Sequence, residues 1–289
     1  MRKSYWIFLS ALISLFISFP KEEFPQTKIN FAGVRSSVYG IKPFPSKEQW
    51  GKALFSMQQK FEGSIPTGIW IVGVMRGKGS MYLEFPSEGK NIENVIFAEE
   101  DKHEQYLDYF DEKGIKVFLQ VEPANVDMIE LIDLVLGRYK HHPCVIGFGV
   151  DVEWYRVNDN PGTGMKISDE LAEQWEKRVK MHNPDYKIFL KHWDYNWMPP
   201  KYRGDIVFVD DSQELPSLEA MVNEFNEWAD KFSPNNVVFQ IGYRSDKNWW
   251  EKFDDPPKYL GEKIAEKIEG QKVGIIWVDF TLKDVIPLE

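Results

Sequence analysis

A single cysteine, Cys144, in 289 residues excludes an internal disulfide, and its place in an apolar run suits a buried thiol. Stability therefore has to come from a hydrophobic core. No Gly-x-Gly-x-x-Gly turn follows the first strand-like run, which removes the fingerprint of a dinucleotide-binding sheet. Neither His-x-x-x-His nor paired cysteines occur, so no metal and no other cofactor is expected. Basic residues are outnumbered 35 to 45 by acidic ones, a net charge of -10. Phosphate binding depends on clustered Lys and Arg releasing counterions, so nucleic acid is not an expected partner. Internal repeats, low-complexity tracts and linker-like stretches are absent from the sequence, and one domain over 28–289 accounts for the chain.

Long apolar runs are also scarce. One covers residues 5–19 after Met1-Arg2-Lys3 and ends before Pro20-Lys21-Glu22-Glu23. At about 15 residues it is short for a membrane span of ~20. A basic start followed by an apolar stretch reads as a signal peptide over residues 1–20, or as an uncleaved anchor, since no clean Ala-x-Ala site follows. Either way the rest of the chain is expected outside the cytoplasm, secreted or attached to the membrane by this segment, as a monomer.

What is abundant is aromatic: 15% of residues, with 11 Trp. Core packing is the default for any one of them, but the surplus suits stacking on flat ligand faces.

The hydrophobic pattern alternates between two periods. Short apolar runs at 29–34, 68–74, 116–121, 144–152, 187–190, 206–209, 236–241 and 273–278 read as eight strands. Continuous runs of this kind fit parallel strands covered on both faces. Amphipathic helices lie between them. Ser46-Lys47-Glu48-Gln49 is a capping box ahead of Trp50, Leu54, Met57 and Phe61. Ser168 opens a second helix, Leu218 to Trp228 form a third apolar stripe, and Gly114 and Gly270 sit where helices should stop. Polar residues gather at nearly every strand's C-terminal end, which favours a closed (β/α)8 barrel over an open sheet.

In a barrel, chemistry belongs at those ends. The fourth run finishes Gly147-Phe148-Gly149-Val150-Asp151-Val152-Glu153-Trp154. Strand residues two apart share a face, so Asp151 and Glu153 should project together, and two neighbouring carboxyls tend to hold one proton between them. A protonated Glu153 beside an ionised Asp151 is a general acid for a glycosidic oxygen, making both candidate catalytic residues. The competing reading is an ion pair of these acids with Arg35 or Lys191. Candidate substrate-binding residues are Glu122, Trp154, Trp193, Asp210 (chosen over Asp211 by parity alone), Gln240, Tyr243 and Trp277. His192 reads as a wall residue, and Trp249-Trp250 as either sugar-stacking or rim cover.

The fourth-run motif resembles Asp-Gly-x-Asp-x-Asp-x-Glu of glycoside hydrolase family 18, the chitinases and endo-β-N-acetylglucosaminidases. The resemblance implies that Glu153 is the acid/base, that Asp151 orients an N-acetyl group acting as nucleophile, and that Trp277 floors the sugar site. Ile146 and Gly149 stand in place of the motif's first two aspartates, and Asp210-Asp211 in place of a Tyr-Asp pair. The seventh run ends in Gln240, which cannot be the carboxylate nucleophile of ordinary retaining barrels. Two functions follow as expectations: an exported glycosidase acting on a polysaccharide or cell-wall glycan, or a carbohydrate-binding protein on a degenerate glycosidase barrel.

Overall fold

The computed structural model describes residues 28–160 and 163–288; the expected leader over residues 1–20 lies outside them. The first half runs β1 (Ile29–Ser36), α1 (Lys47–Gln58), β2 (Ile65–Gly77), β3 (Ser80–Leu83), β4 (Val95–Phe97), α2 (Glu104–Lys113), β5 (Lys116–Val121), α3 (Met128–Tyr139) and β6 (Val145–Asp151). The second runs α4 (Asp169–His182), β7 (Lys187–Lys191), β8 (Val207–Asp210), α5 (Leu218–Phe232), β9 (Val237–Ile241), α6 (Lys247–Trp250), α7 (Pro256–Lys267), β10 (Val273–Trp277) and α8 (Leu282–Val285).

Strands β1, β2, β5, β6, β7, β8, β9 and β10 pair in parallel with their neighbours, and β1 pairs with both β2 and β10. The sheet is therefore closed, and the chain is a (β/α)8 barrel whose eight strands coincide with the eight apolar runs. Two features depart from the expected alternation. A ribbon of β3 and β4 is appended to the long β2, with β3 antiparallel to it. Between β7 and β8 stands only a single 3-10 turn, Tyr195–Trp197, instead of a helix.

Local signals act as expected. Ser46 and Gln49 make both bonds of the capping box, Ser168 caps α4 through the N–H of Leu171, and Gly114 ends α2 at φ 70°. The stripes from Trp50 to Phe61 and from Leu218 to Trp228 pack into the layer between helices and barrel. Burying each large side chain there contributes on the order of 2 kcal/mol.

Inside the barrel a separate cluster of Phe31, Ile69, Phe118, Phe189, Val207, Val209, Val238 and Ile276 fills the lumen. Phe118 and Phe189 meet edge to face at 5.5 Å. They fit because β6 contributes no side chain at Gly147 and Gly149: a Cβ on Gly149 would lie 2.1 Å from the Phe189 ring, and one on Gly147 2.9 Å from that of Phe118. The glycines of the fourth-strand motif thus have a packing reason of their own. With the lumen plugged below, the upper end of each strand is left to polar side chains.

Candidate active site

Alternation along each strand decides which residues reach the mouth. On β5 the helix-facing set is Val117, Leu119 and Val121, which turns Phe118, Gln120 and Glu122 inward. The same parity turns Gly149 and Asp151 inward on β6, Phe189 and Lys191 on β7, Val238 and Gln240 on β9, and Phe31 and Arg35 on β1. Together with Glu153, Asp211 and Asp279 from the turns that follow β6, β8 and β10, Glu122 and Asp151 gather around two cations, Arg35 and Lys191.

The cations are already engaged. Arg35 pairs with Asp279 at 2.6 Å, and the Ser37 hydroxyl donates to the other Asp279 oxygen at 2.6 Å. Lys191 Nζ lies 3.0 Å from Asp151 Oδ2 and closer still to Asp211 Oδ2. Burial disfavours the Lys191 charge, but Asp151 and Asp211 outweigh it and hold the ammonium's proton affinity well above its ordinary value. Asp151, only 3% exposed, also accepts from Gln120 Nε2 at 3.3 Å, while its Oδ1 has no partner. Burial pushes its pKa well up; Lys191 opposes this, and Asp211, Glu153 and Glu122 add to it. One ammonium shared between two buried aspartates cannot neutralise both.

Glu122 accepts from the Tyr39 hydroxyl at 2.7 Å and from the Met75 N–H at 2.8 Å. Burial nevertheless raises its pKa above the ordinary glutamate value. Tyr39 exposes its ring while turning the hydroxyl inward to Glu122.

Glu153 differs from all of these. The strand ends at Asp151, and Glu153 falls in a single 3-10 turn, Val152–Trp154, so strand parity does not carry its side chain to the face of Asp151. It is half-buried and, among the described residues, makes no hydrogen bond or ion pair. Desolvation raises its pKa first; Lys191 lowers it, and Asp211 and Glu122 raise it again. The turn therefore presents a carboxyl that favours its proton and is open on one side.

Several of the expected residues are placed away from the open mouth. Asp210 follows Phe208 towards the helices, is fully buried and accepts from the Ser212 N–H at 2.8 Å; Asp211 is the one that reaches the mouth. Trp277 shares the helix-facing parity of Val273 and Ile275, is fully buried, meets Trp250 edge to face at 5.2 Å and donates to Thr281. A sugar platform it is not. Trp249 and Trp250 are likewise buried, donating to the Leu215 and Tyr243 carbonyls. Gln240 is fully buried beneath the mouth and accepts from the Tyr243 hydroxyl at 3.2 Å. His192 is the stacked wall residue expected, 4.8 Å from the Trp197 ring, with burial lowering its pKa to about 4.

The exposed aromatic surface at the rim is Trp193, 49% exposed, with Trp154 half-buried in the same turn as Glu153. The β2–β3 hairpin closes over this side: Lys78 N–H donates to Asp159 at 2.9 Å and Gly79 N–H to the Asn158 carbonyl at 2.8 Å.

The Lys191 ion pair expected as the competing reading forms with Asp151, whereas the sharing of Lys191 with Asp211 and the pairing of Arg35 with Asp279 were not foreseen from the sequence. The available signal was their position at strand ends with inward parity, and it required knowing which parity faces in.

No protein-family model matches the chain, and no curated protein matches it. Among solved structures it is similar to a hyperthermophilic endo-β-1,4-glucanase determined with substrate, at 13% identity over 88% of this chain and 90% of that one, TM-score 0.51. It is also similar to a broad-specificity endoglucanase from Clostridium longisporum, at 9% identity over 83% and 77%, TM-score 0.47. A third is an intracellular xylanase from Thermoanaerobacterium saccharolyticum, at 9% identity over 93% of each chain, TM-score 0.42. At 13% identity the likeness to the glucanase bears on the fold and not on what the chain does. The family 18 resemblance rests on the β6 motif.

Proposed function

We propose that this barrel is a glycoside hydrolase acting on a polysaccharide or cell-wall glycan, with Glu153 as general acid/base and Asp151 assisting. The observation that carries the reading is Glu153 itself: an unpartnered, half-open carboxyl with raised proton affinity at the C-terminal mouth of the barrel. Such a group donates to a leaving glycosidic oxygen and can later activate water. Asp151 and Asp211 keep Lys191 beside it, and the remaining negative charge favours the developing positive charge of an oxocarbenium-like transition state. Trp193 and Trp154 supply the apolar faces along which a sugar chain can lie. An N-acetylglucosamine-containing glycan fits the motif resemblance, with the unpartnered Asp151 Oδ1 as the atom to orient the acetamido group. The reading has the chain acting outside the cytoplasm, free or held by residues 1–20.

The test is Glu153→Gln assayed on cellulose, xylan, chitin and peptidoglycan fragments. Loss of at least about 100-fold in turnover with retained binding is expected; undiminished turnover removes the proposal.

A carbohydrate-binding protein is the second reading. What favours it is the engagement of Asp151 and Asp211 by Lys191, of Asp279 by Arg35, and the place of Gln240 at the end of β9. Saturable binding by the wild type with no product at any pH selects it.

A further inference from the structure

At the other end of β6 from Asp151, the chain just before the strand packs against α2. His142 there is 2% exposed. Its Nδ1 lies 2.6 Å from Asp111 Oδ2, while Asp111 Oδ1 accepts from the Cys144 N–H at 2.6 Å. The carboxylate is thus held in place and fixes the ring. The Nε2 of His142 is buried without a hydrogen-bond partner and faces Glu104 Oε1 at 3.4 Å.

The neighbouring ring is arranged alike. His141 Nδ1 lies 2.9 Å from the Arg138 carbonyl, which can only accept, so that nitrogen carries the hydrogen. His141 Nε2 then points at the same Glu104 Oε1, at 3.1 Å. Each ring has its Nδ1 bonded elsewhere and turns its Nε2, together with a carboxylate oxygen, on one spot, where loss of the Nε2 proton to solvent would leave two lone pairs for a metal ion. All three atoms lie within 4.8 Å of one another.

We propose that Glu104, His141 and His142 form a zinc-type divalent metal site, with Asp111 and the Arg138 carbonyl orienting the two rings. Two imidazoles and a carboxylate are a recurrent donor set for zinc, and an acceptor on the far nitrogen of each ring is the usual support. The side chains of His141 and Glu104 are 58% and 45% exposed, so the site opens to solvent where water completes the coordination. The alternative trio of Asp111, His142 and Cys144 suits a metal less well. Both Asp111 oxygens are used, His142 Nδ1 is already held by one of them, and the buried Cys144 thiol is turned to the Leu107 carbonyl.

The metal would clamp the first turn of α2 to the connection between α3 and β6. It would act on stability and not on the chemistry of the mouth, so its test is independent of the proposed activity.

The experiment is calorimetric titration of the untagged, chelator-washed full chain with zinc chloride, with thermal melts alongside. Expected are one zinc per chain with a Kd below about 10 µM and a raised Tm. His141→Ala, at an exposed position that folding does not need, should remove the binding. Asp111→Asn should weaken it about 10- to 100-fold. Cys144→Ser should leave it unchanged. The proposal is overturned if the wild type takes up no zinc in this range, if His141→Ala binds as the wild type does, or if Cys144→Ser abolishes binding.

Discussion

Lys191 Nζ sits 3.0 Å from Asp151 Oδ2, joining the ends of β6 and β7 by an ion pair in which both side chains are buried. The same ammonium also holds Asp211, the residue just after β8, so one cation ties the ends of three adjacent strands at the mouth. Removing it should be costly. Lys191→Met leaves two buried carboxylates without a counter-ion, and a loss of about 3–5 kcal/mol is expected from urea denaturation at pH 7. Burial already raises the Asp151 pKa, and without the opposing ammonium it would rise further above its unfolded value. Stability of this variant is therefore fullest below about pH 4 and falls as pH rises through the folded-state values. A deficit that does not shrink in acid counts against this account.

Glu153 gives a second pH dependence, in activity. Its pKa is raised, so the proton needed for leaving-group departure persists above the ordinary glutamate value of about 4.3 and is lost on the alkaline side. The alkaline limb of kcat should follow Glu153. Since Lys191 opposes the shift, any folded Lys191 variant should move that limb to higher pH. An unmoved limb would separate Lys191 from the acid.

The same raised value bears on folding. A group whose folded-state pKa exceeds its unfolded one favours folding at low pH and opposes it as pH rises. Glu153→Gln should thus be at least as stable as the wild type at pH 8, with the difference vanishing near pH 4, read from urea midpoints. The variant that loses activity is expected to gain or keep stability, which distinguishes a functional acid from a structural one.

Two tryptophans should behave oppositely. Trp193→Ala, at the exposed rim, should change stability by less than about 0.5 kcal/mol while weakening oligosaccharide binding about 10-fold. Trp277→Ala empties a fully buried site between β10 and α6 and should cost about 3–5 kcal/mol. Equal effects of the two on binding with equal stability would contradict the assigned parity of β10.

Gly149 tests the packing reason for the β6 motif. Gly149→Ala drives a Cβ into the Phe189 ring and should cost about 1–3 kcal/mol. Combined with Phe189→Ala the two losses should be clearly less than additive, as a double-mutant cycle measures.

How much of this was legible beforehand divides along a physical line. The eight strand runs, the capping box at Ser46 and the helix stop at Gly114 are local, and each was readable because its cause lies within a few residues. The gathering of Arg35, Glu122, Asp151 and Asp211 near one axis was readable as a list of strand ends. The inward face was not. A barrel strand is covered on both sides, so β8 and β10 carry apolar residues at successive positions and show no alternation from which to choose a face. Asp210 and Trp277 were assigned to the mouth for that reason and belong to the helix layer.

The sequence alone therefore pointed to the barrel, through eight apolar runs with polar residues at their C-terminal ends and no dinucleotide-binding turn after the first, and it singled out Asp151 and Glu153. Tertiary structure alone decided that Lys191 holds Asp151 and Asp211, and that Glu104 meets His141 and His142. Such contacts depend on register and closure, on how far each strand slides before the sheet meets itself, and no run of neighbouring residues encodes that distance.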